Sequence, residues 1–506
     1  MNLSTFTCTD ATYCLMRKIG SGHIYRIQLF SVFFFAIVYS LLSLINHYNF
    51  RTYAYDMGVQ NNALYDYAHF RFNNCTLLQP ELKNYLSEHF ELVAILLSPF
   101  SYLFGTYTLL IFQIIAVLAG GYGVYNYIKE ISSNKEIAFL AQLHFYFFYG
   151  IFSALNYDFH NNVIGAMFVP WIFYFFHKKQ WKNSILVFIL FIATKENMPL
   201  WAAFVYAGIA ALYWKDKIQK HIALSLSVAA FGYFILVVSY IMPALANEGE
   251  AYVQIRNNYS ALGSNLGEII TTLILKPVYV FKLLFVNHTG NVLGNYYKME
   301  TYIFVLLSGG VLLFFRPQFI LMLLPIFAQK MFHNDFLKWG IGDHYSIEFA
   351  PLLSIGAFHV LSSIKKEKVM RYFSYSILII SLAVCIRSFD RSHTYFDRDR
   401  HRVYQSRHYK KEYNVREAHL ALHLIPHEAK VSAQSPFVPH LAFRDYIYQF
   451  PVINDAEYVV ISYKEAPYPL TQQSFNVQIA MLMISGKWEN IYDKNEMVIL
   501  KARTEN

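Results

Sequence analysis

The chain has 506 residues, 56% of them hydrophobic and 18% aromatic, with only 15% charged. That balance, with a mean hydropathy of +0.29, excludes an ordinary soluble protein and fits a polytopic membrane protein with some aqueous mass. The net charge of +9 comes without a basic helix interleaved with aromatics, so nucleic acid is excluded as a partner. Lys and Arg held beside anionic membrane lipid account for it.

The first predicted element is an apolar helix near Ile27–Asn46, preceded by Arg17, Lys18 and Arg26. It is too long for a cleaved signal and reads as an uncleaved first span. Residues 47–105 follow as a large loop. Within it Asp56 precedes a helical stretch carrying Met57, Gln60, Asn61, Leu64 and Ala68 at helix spacing. Phe90–Phe104, broken by Pro99, predicts a short helix dipping into the bilayer.

Further apolar segments run at 106–127, 137–155, 162–176, 183–194, 199–214, 221–243, 300–315, 318–330, 345–363 and 370–388. With the first they predict about 11 transmembrane helices, in a range of roughly 10–13, because a full span takes about 20 residues and some segments are short. The loop 244–299 holds Ile269–Phe285, whose Lys276, Pro277 and Lys282 predict an interfacial helix rather than a span.

The positive-inside rule orients this drawing. With a cytoplasmic N-terminus, Lys129, Lys135, Lys178, Lys179, Lys182, Lys215, Lys217, Lys220, Arg316 and the basic run from Lys365 to Arg371 all fall inside. Loops 47–105, 156–161, 195–198, 244–299 and 331–344 then lie outside, with everything after Arg387. The division is a transmembrane part, 1–388, and an extracytoplasmic α/β domain, 389–506. In the latter, Ser388–Tyr413 reads as a solvated connector. A helix (Val415–Leu424), strands at Ala429–Ala433, Tyr446–Phe450 and Tyr458–Ser462, a helix near Phe475–Ile484 and two terminal strands follow. There is no P-loop or GxGxxG. Cys8, Cys14, Cys75 and Cys385 lack metal or disulfide spacing.

Five polar clusters break the apolar pattern, all on the outer side: Asp56, Glu88-His89, Asp158-Phe159-His160, Lys195-Glu196 and Asp343-His344. Charge at the end of an apolar run is costly and marks either a function or a buried partner. Asp56 is either an N-cap or a general base. Glu88 and His89 are an interfacial polar pair or a second acid/base group. Asp158 and His160 sit in a tight turn that needs polar residues anyway. Lys195 and Glu196 form an ion pair in the bundle, or Lys195 binds a lipid phosphate. His344 and Glu348, four apart, share a helix face, a weak metal signal.

Tyr55-Asp56-Met57-Gly58-Val59-Gln60-Asn61, then Glu88-His89-Phe90, Asp158-Phe159-His160, Thr194-Lys195-Glu196-Asn197 and Asp343-His344-Tyr345 resemble, in that order, the bacterial membrane proteins grouped as "domain of unknown function 2079". That family is similar in turn to the GT-C glycosyltransferases. The resemblance implies a bacterial inner-membrane enzyme that moves a sugar from a polyprenyl-phosphate donor to a lipid, glycan or protein acceptor. Asp56, Glu88 and His89 take the catalytic places, with Asp56 as the base. Gln60, Asn61, Asp158, His160, Lys195, Glu196, His344 and Tyr345 are the implied substrate contacts, and a divalent metal is left open. The rival expectation is a transporter or flippase. It calls for mid-helix charge and repeat symmetry, and no internal repeat is seen. A non-catalytic scaffold is the third.

Overall fold

The computed structural model of the chain describes residues 21–78, 83–246, 258–394 and 397–503. Cys8, Cys14, Arg17 and Lys18 lie outside the described residues. The chain is mostly helical, with one small mixed sheet near its C-terminus. All eleven expected apolar segments coincide with helix, but their lengths differ from the expectation. Among the described residues, four helical stretches are long and apolar enough to cross a membrane: Tyr25–Tyr48, Val93–Ser132, Lys217–Leu245 and Glu367–Asp390. A fifth results if Lys135–Tyr146 and Tyr149–Asn156, bent by 40°, count as one span. The other segments are shorter helices, including Trp181–Ile192, Met198–Leu212 and Phe349–Leu361.

The helices are apolar on nearly every side and pack by aromatic contact. Tyr39, Phe35 and Tyr146 form one nucleus, in which Tyr39 donates to the Tyr146 carbonyl at 2.7 Å. Gly121 admits the Tyr146 ring, since a Cβ there would lie 2.2 Å from it. At one end of the bundle the basic loops meet acidic partners: Lys178 with Glu130 (2.9 Å), Lys179 with Asp216 (2.8 Å), and Arg371 with Glu136 (3.0 Å). Asn134 and Asp216 cap the helices that start there, each accepting two backbone amides. The five polar clusters sit at the opposite end.

The dipping segment is three short pieces, Val93–Leu97, Ser98–Phe100 and Ser101–Phe104, divided where Pro99 removes an amide. The expected interfacial helix is likewise split at Lys276 into Leu266–Leu275 and Pro277–Phe285.

The C-terminal sheet runs in the order Ile447–Gln449, Val431–Ala433, Tyr458–Ser462, Met497–Ala502, Trp488–Lys494. Its first three strands are parallel and the other pairings antiparallel. The β-branched run Tyr458–Ser462 is buried along its whole length, as a central strand covered on both faces must be. Alternate side chains serve two cores. Val459, Ile461, Val498 and Leu500 pack on the helix Gln472–Ile484. Val431, Ile447, Val460 and Ile499 join Phe50, Val59, Ala63 and Tyr67 of the 47–105 loop in one cluster. Gly58 permits this contact, because a Cβ there would meet Val438 at 2.7 Å.

The connector departs from its solvated expectation. Arg400, His401 and His408 are buried. Arg51, also buried, donates to the carbonyls of His408 (2.6 Å), Lys410 (2.9 Å), Arg407 (3.1 Å) and Asp399 (3.3 Å). A composition rich in charge satisfied itself against the loop rather than against water.

Three imidazoles line the seam between the first helix, the loop and the tail. His440 stacks on His47 with centroids 4.1 Å apart, and His419 lies 5.1 Å from His440 and 4.4 Å from Phe50. Burial pushes His440 well below the ordinary imidazole value, helped by the neighbouring His47 and His419. Burial also lowers His419, with His423 adding to it. A group neutral in the folded state and protonated when exposed stabilises docking fully above its ordinary value, near 6.5, and loses that contribution as pH falls. Tail docking is therefore expected to weaken progressively as pH falls below about 6.5. Limited proteolysis of residues 397–414 across this range measures it, and His440→Phe should flatten the profile.

Candidate active site

Asp158 organises the site from the turn between Tyr149–Asn156 and Asn161–His177. It is 1% exposed. Its Oδ2 accepts the amides of Tyr53 (2.7 Å) and Met57 (3.3 Å), and its Oδ1 lies 3.3 Å from the Arg400 guanidinium. Gln113, from a membrane helix, fixes the same turn by accepting the His160 amide at 3.0 Å. Asp158 thus caps the start of the loop helix, where Asp56 was one candidate for that role. The first turn there, Ala54–Gly58, is a π turn followed by the helix Val59–Ala68. Such turns widen the helix locally and re-aim a side chain.

Relieved of capping, Asp56 presents its carboxylate at the surface of the cluster, with its side chain 34% exposed. Its Oδ2 accepts the Tyr157 hydroxyl at 3.0 Å, and its Oδ1 lies 3.3 Å from His160 Nε2. Burial alone would raise this carboxyl. The hydrogen bond and charge of His160, then the Tyr157 hydroxyl, hold it at about 2. Asp56 is therefore ionised throughout the physiological range.

His160 stacks on His344 with ring centroids 3.5 Å apart, and Tyr345 lies 4.2 Å beyond His344. Burial drives His344 well below the ordinary imidazole value, and the charge of His160 adds to this. Asp343 holds a positive φ of 51°, a conformation Asp tolerates, and this turns the chain to bring His344 onto His160.

A second group adjoins the first through Asn161. Glu91, wholly buried, accepts Asn161 (2.7 Å), Gln60 (2.7 Å) and the Tyr85 hydroxyl (2.5 Å) on one oxygen, and its other oxygen lies 3.2 Å from Lys195. Burial would raise it, but the Lys195 charge, then His89, Tyr85 and Gln60, bring it to about 2. Glu196 lies 3.3 Å from His89 and accepts the Phe90 amide at 3.2 Å.

Of the residues expected to serve the site, Asp56, His160, His344 and Tyr345 form one contiguous line. Asp158 lies directly behind it, while His89, Lys195 and Glu196 form the adjoining charged group. Gln60 belongs to that group through Glu91. Asn61 is turned elsewhere, donating to the carbonyls of Pro439 (3.0 Å) and Thr106 (3.2 Å). Glu88 closes the short helix Tyr85–Glu88, half-buried, and the carboxylate that enters the cluster is Glu91. Glu348 accepts Asn162 at 2.8 Å. Among the described residues no three His, Cys, Asp or Glu side chains form a group that could hold a metal ion.

Three members of the site were not singled out from the sequence: Glu91, Tyr157 and Arg400. The signal for Glu91 is its place at the head of the dipping apolar run. Tyr157 directly precedes Asp158. Arg400 lies in a run so rich in charge that nothing distinguishes it.

The profile of the DUF2079 family of predicted membrane proteins matches residues 46–499. The chain belongs to that family. The matched stretch of this DUF2079 protein holds every residue of the site, from Asp56 to Arg400, and the tail sheet through Ile499. No curated protein matches the chain.

The Glu91–Lys195 pair should be structural. Removing one partner leaves an uncompensated buried charge, at a cost of about 3–5 kcal/mol. Glu91→Gln is expected to lower the thermal midpoint in detergent sharply, and adding Lys195→Met should restore most of the loss. Equal stability of Glu91→Gln and wild type would contradict the pairing.

Proposed function

We propose that this DUF2079 protein is a GT-C-like inverting glycosyltransferase of the bacterial inner membrane. It moves a sugar from a polyprenyl-phosphate donor to a lipid, glycan or protein acceptor on the extracytoplasmic side. On this reading the N-terminus is cytoplasmic, about 11 helices cross the bilayer wholly or in part, and the tail covers the site from outside. The reading rests on the GT-C resemblance and on one observation. Asp56 is an ionised, partly exposed carboxylate held by Tyr157 and His160, whereas Asp158, Glu91 and Glu196 are committed to internal partners and burial raises the carboxyl of Asp343.

In the reaction the acceptor hydroxyl oxygen bonds to the anomeric carbon as the bond from that carbon to the phosphate oxygen breaks. The bonding pair leaves on the phosphate, and the acceptor proton passes to Asp56. A carboxylate held near 2 is a weak base at rest. It suffices because the acceptor hydroxyl becomes strongly acidic once its oxygen bonds to carbon. His160 and Tyr157 keep Asp56 oriented and charged until that moment.

The transporter reading calls for ionisable groups distributed through the span. The clusters here gather at the end of the bundle opposite the basic loops, which favours chemistry at one surface. The test is turnover with a panel of polyprenyl-phosphate sugars by purified protein. Asp56→Asn should lower turnover about 10²- to 10⁴-fold with donor binding retained. Unchanged turnover would remove Asp56 as the base.

A further inference from the structure

Three lysines crowd the Asp56 cluster, and their ammonium groups differ in commitment. Lys195 is paired with Glu91 at 3.2 Å. Lys330 donates to the carbonyls of Tyr345 (2.7 Å) and Gly340 (2.9 Å). Lys338 makes no hydrogen bond or ion pair among the described residues, although it is half-buried. Its Nζ lies 5.7 Å from the centre of the Tyr345 ring. The Tyr345 hydroxyl is likewise without a hydrogen bond among the described residues.

The segment bearing Lys338 is well anchored. It is the 3-10 turn Phe336–Trp339, capped by Asp335, whose side chain accepts the Leu337 amide at 3.0 Å. Trp339 is fully buried and donates to the His333 carbonyl at 2.9 Å, while its own carbonyl accepts Thr301 at 2.5 Å. An unpaired, half-buried ammonium on an anchored turn favours an anionic partner. From Lys338 the contacts run through Tyr345, His344 and His160 to Asp56. His160 is 7% exposed, and the Nδ1 atoms of both stacked imidazoles are buried without a partner.

The Lys338 end offers uncommitted donors, with the charges of Asp335 and Asp343 acting nearby, and the Asp56 end offers an ionised carboxylate. We propose that Lys338 and Tyr345 seat the phosphate of the substrate, with the acceptor hydroxyl at Asp56 and the sugar between them along His160 and His344. This rests on the transferase reading and moves the phosphate contact from Lys195, which Glu91 already neutralises, to a residue outside the polar clusters. Lys338 supplies positive charge where the departing phosphate gains its electron pair.

The test uses the full chain in nanodiscs, with a short-chain polyprenyl phosphate, the matching uncharged polyprenol and inorganic phosphate as probes. Lys338→Gln should weaken polyprenyl phosphate binding about 10- to 100-fold at an unchanged melting temperature. Lys338→Arg should keep most of the affinity, and polyprenol binding should not respond to either variant. Competition by inorganic phosphate would support a seat for any phosphate, and its failure to compete a seat for the lipid-linked group. Equal affinity of wild type and Lys338→Gln overturns the proposal, as does equal loss of polyprenol binding. Failure of the transferase reading looks different: binding that depends on Lys338 with no sugar transferred from any donor. Asp56→Asn separates the two again, because it should lower turnover about 10²- to 10⁴-fold and leave phosphate binding as tight as in wild type.

Discussion

A buried carboxylate cannot stay charged unless something nearby answers the charge, and Asp158 is answered from two directions. The 47–105 loop supplies the Tyr53 and Met57 amides, and the connector supplies Arg400. Arg400 lies 5.2 Å from each of the Tyr53 and Tyr157 rings, so the same cation also sits against aromatic faces of the loop and of the Asp158 turn. No one of these three pieces can leave without uncovering a charge in a poorly solvated place. This constraint makes bundle end, loop and tail a single unit around Asp56.

The buried charges divide the labour. Glu91 and Lys195 neutralise each other, and Glu196 is held by the Phe90 amide and His89, which fixes geometry and gives little net stability. Asp56 differs by being partly exposed and by having partners that preserve its charge. The same logic separates Lys195, paired with Glu91, and Lys330, bound to two carbonyls, from Lys338, which has no such partner among the described residues.

Much of this was legible in the sequence for physical reasons. Charge in an oily chain is expensive, so Asp56, Asp158, His160, Lys195 and His344 declared themselves, and all five lie at the same end of the bundle. The tail strands were readable because Tyr458–Ser462 is β-branched and the turns around it are rich in Pro and Asn. Other features were not legible. Glu91 hid behind Glu88, since a periodicity argument cannot say which of two nearby carboxylates turns inward. Arg400 and His408 hid in a segment whose composition resembles a solvated linker. Its burial comes from partners some 350 residues away in sequence, such as Arg51. Two apolar runs continuous in sequence are not continuous helices, because a bend at Phe147–Phe148 and a break at Lys276 interrupt them.

The claim that Asp158 and Arg400 hold the Asp56 turn in place is open to direct measurement by hydrogen exchange on peptides covering residues 53–59. In Arg400→Gln, the Tyr53 and Met57 amides should exchange faster, with exchange in the helix Gln472–Ile484 unchanged. Exchange at residues 53–59 as slow as in wild type would contradict it.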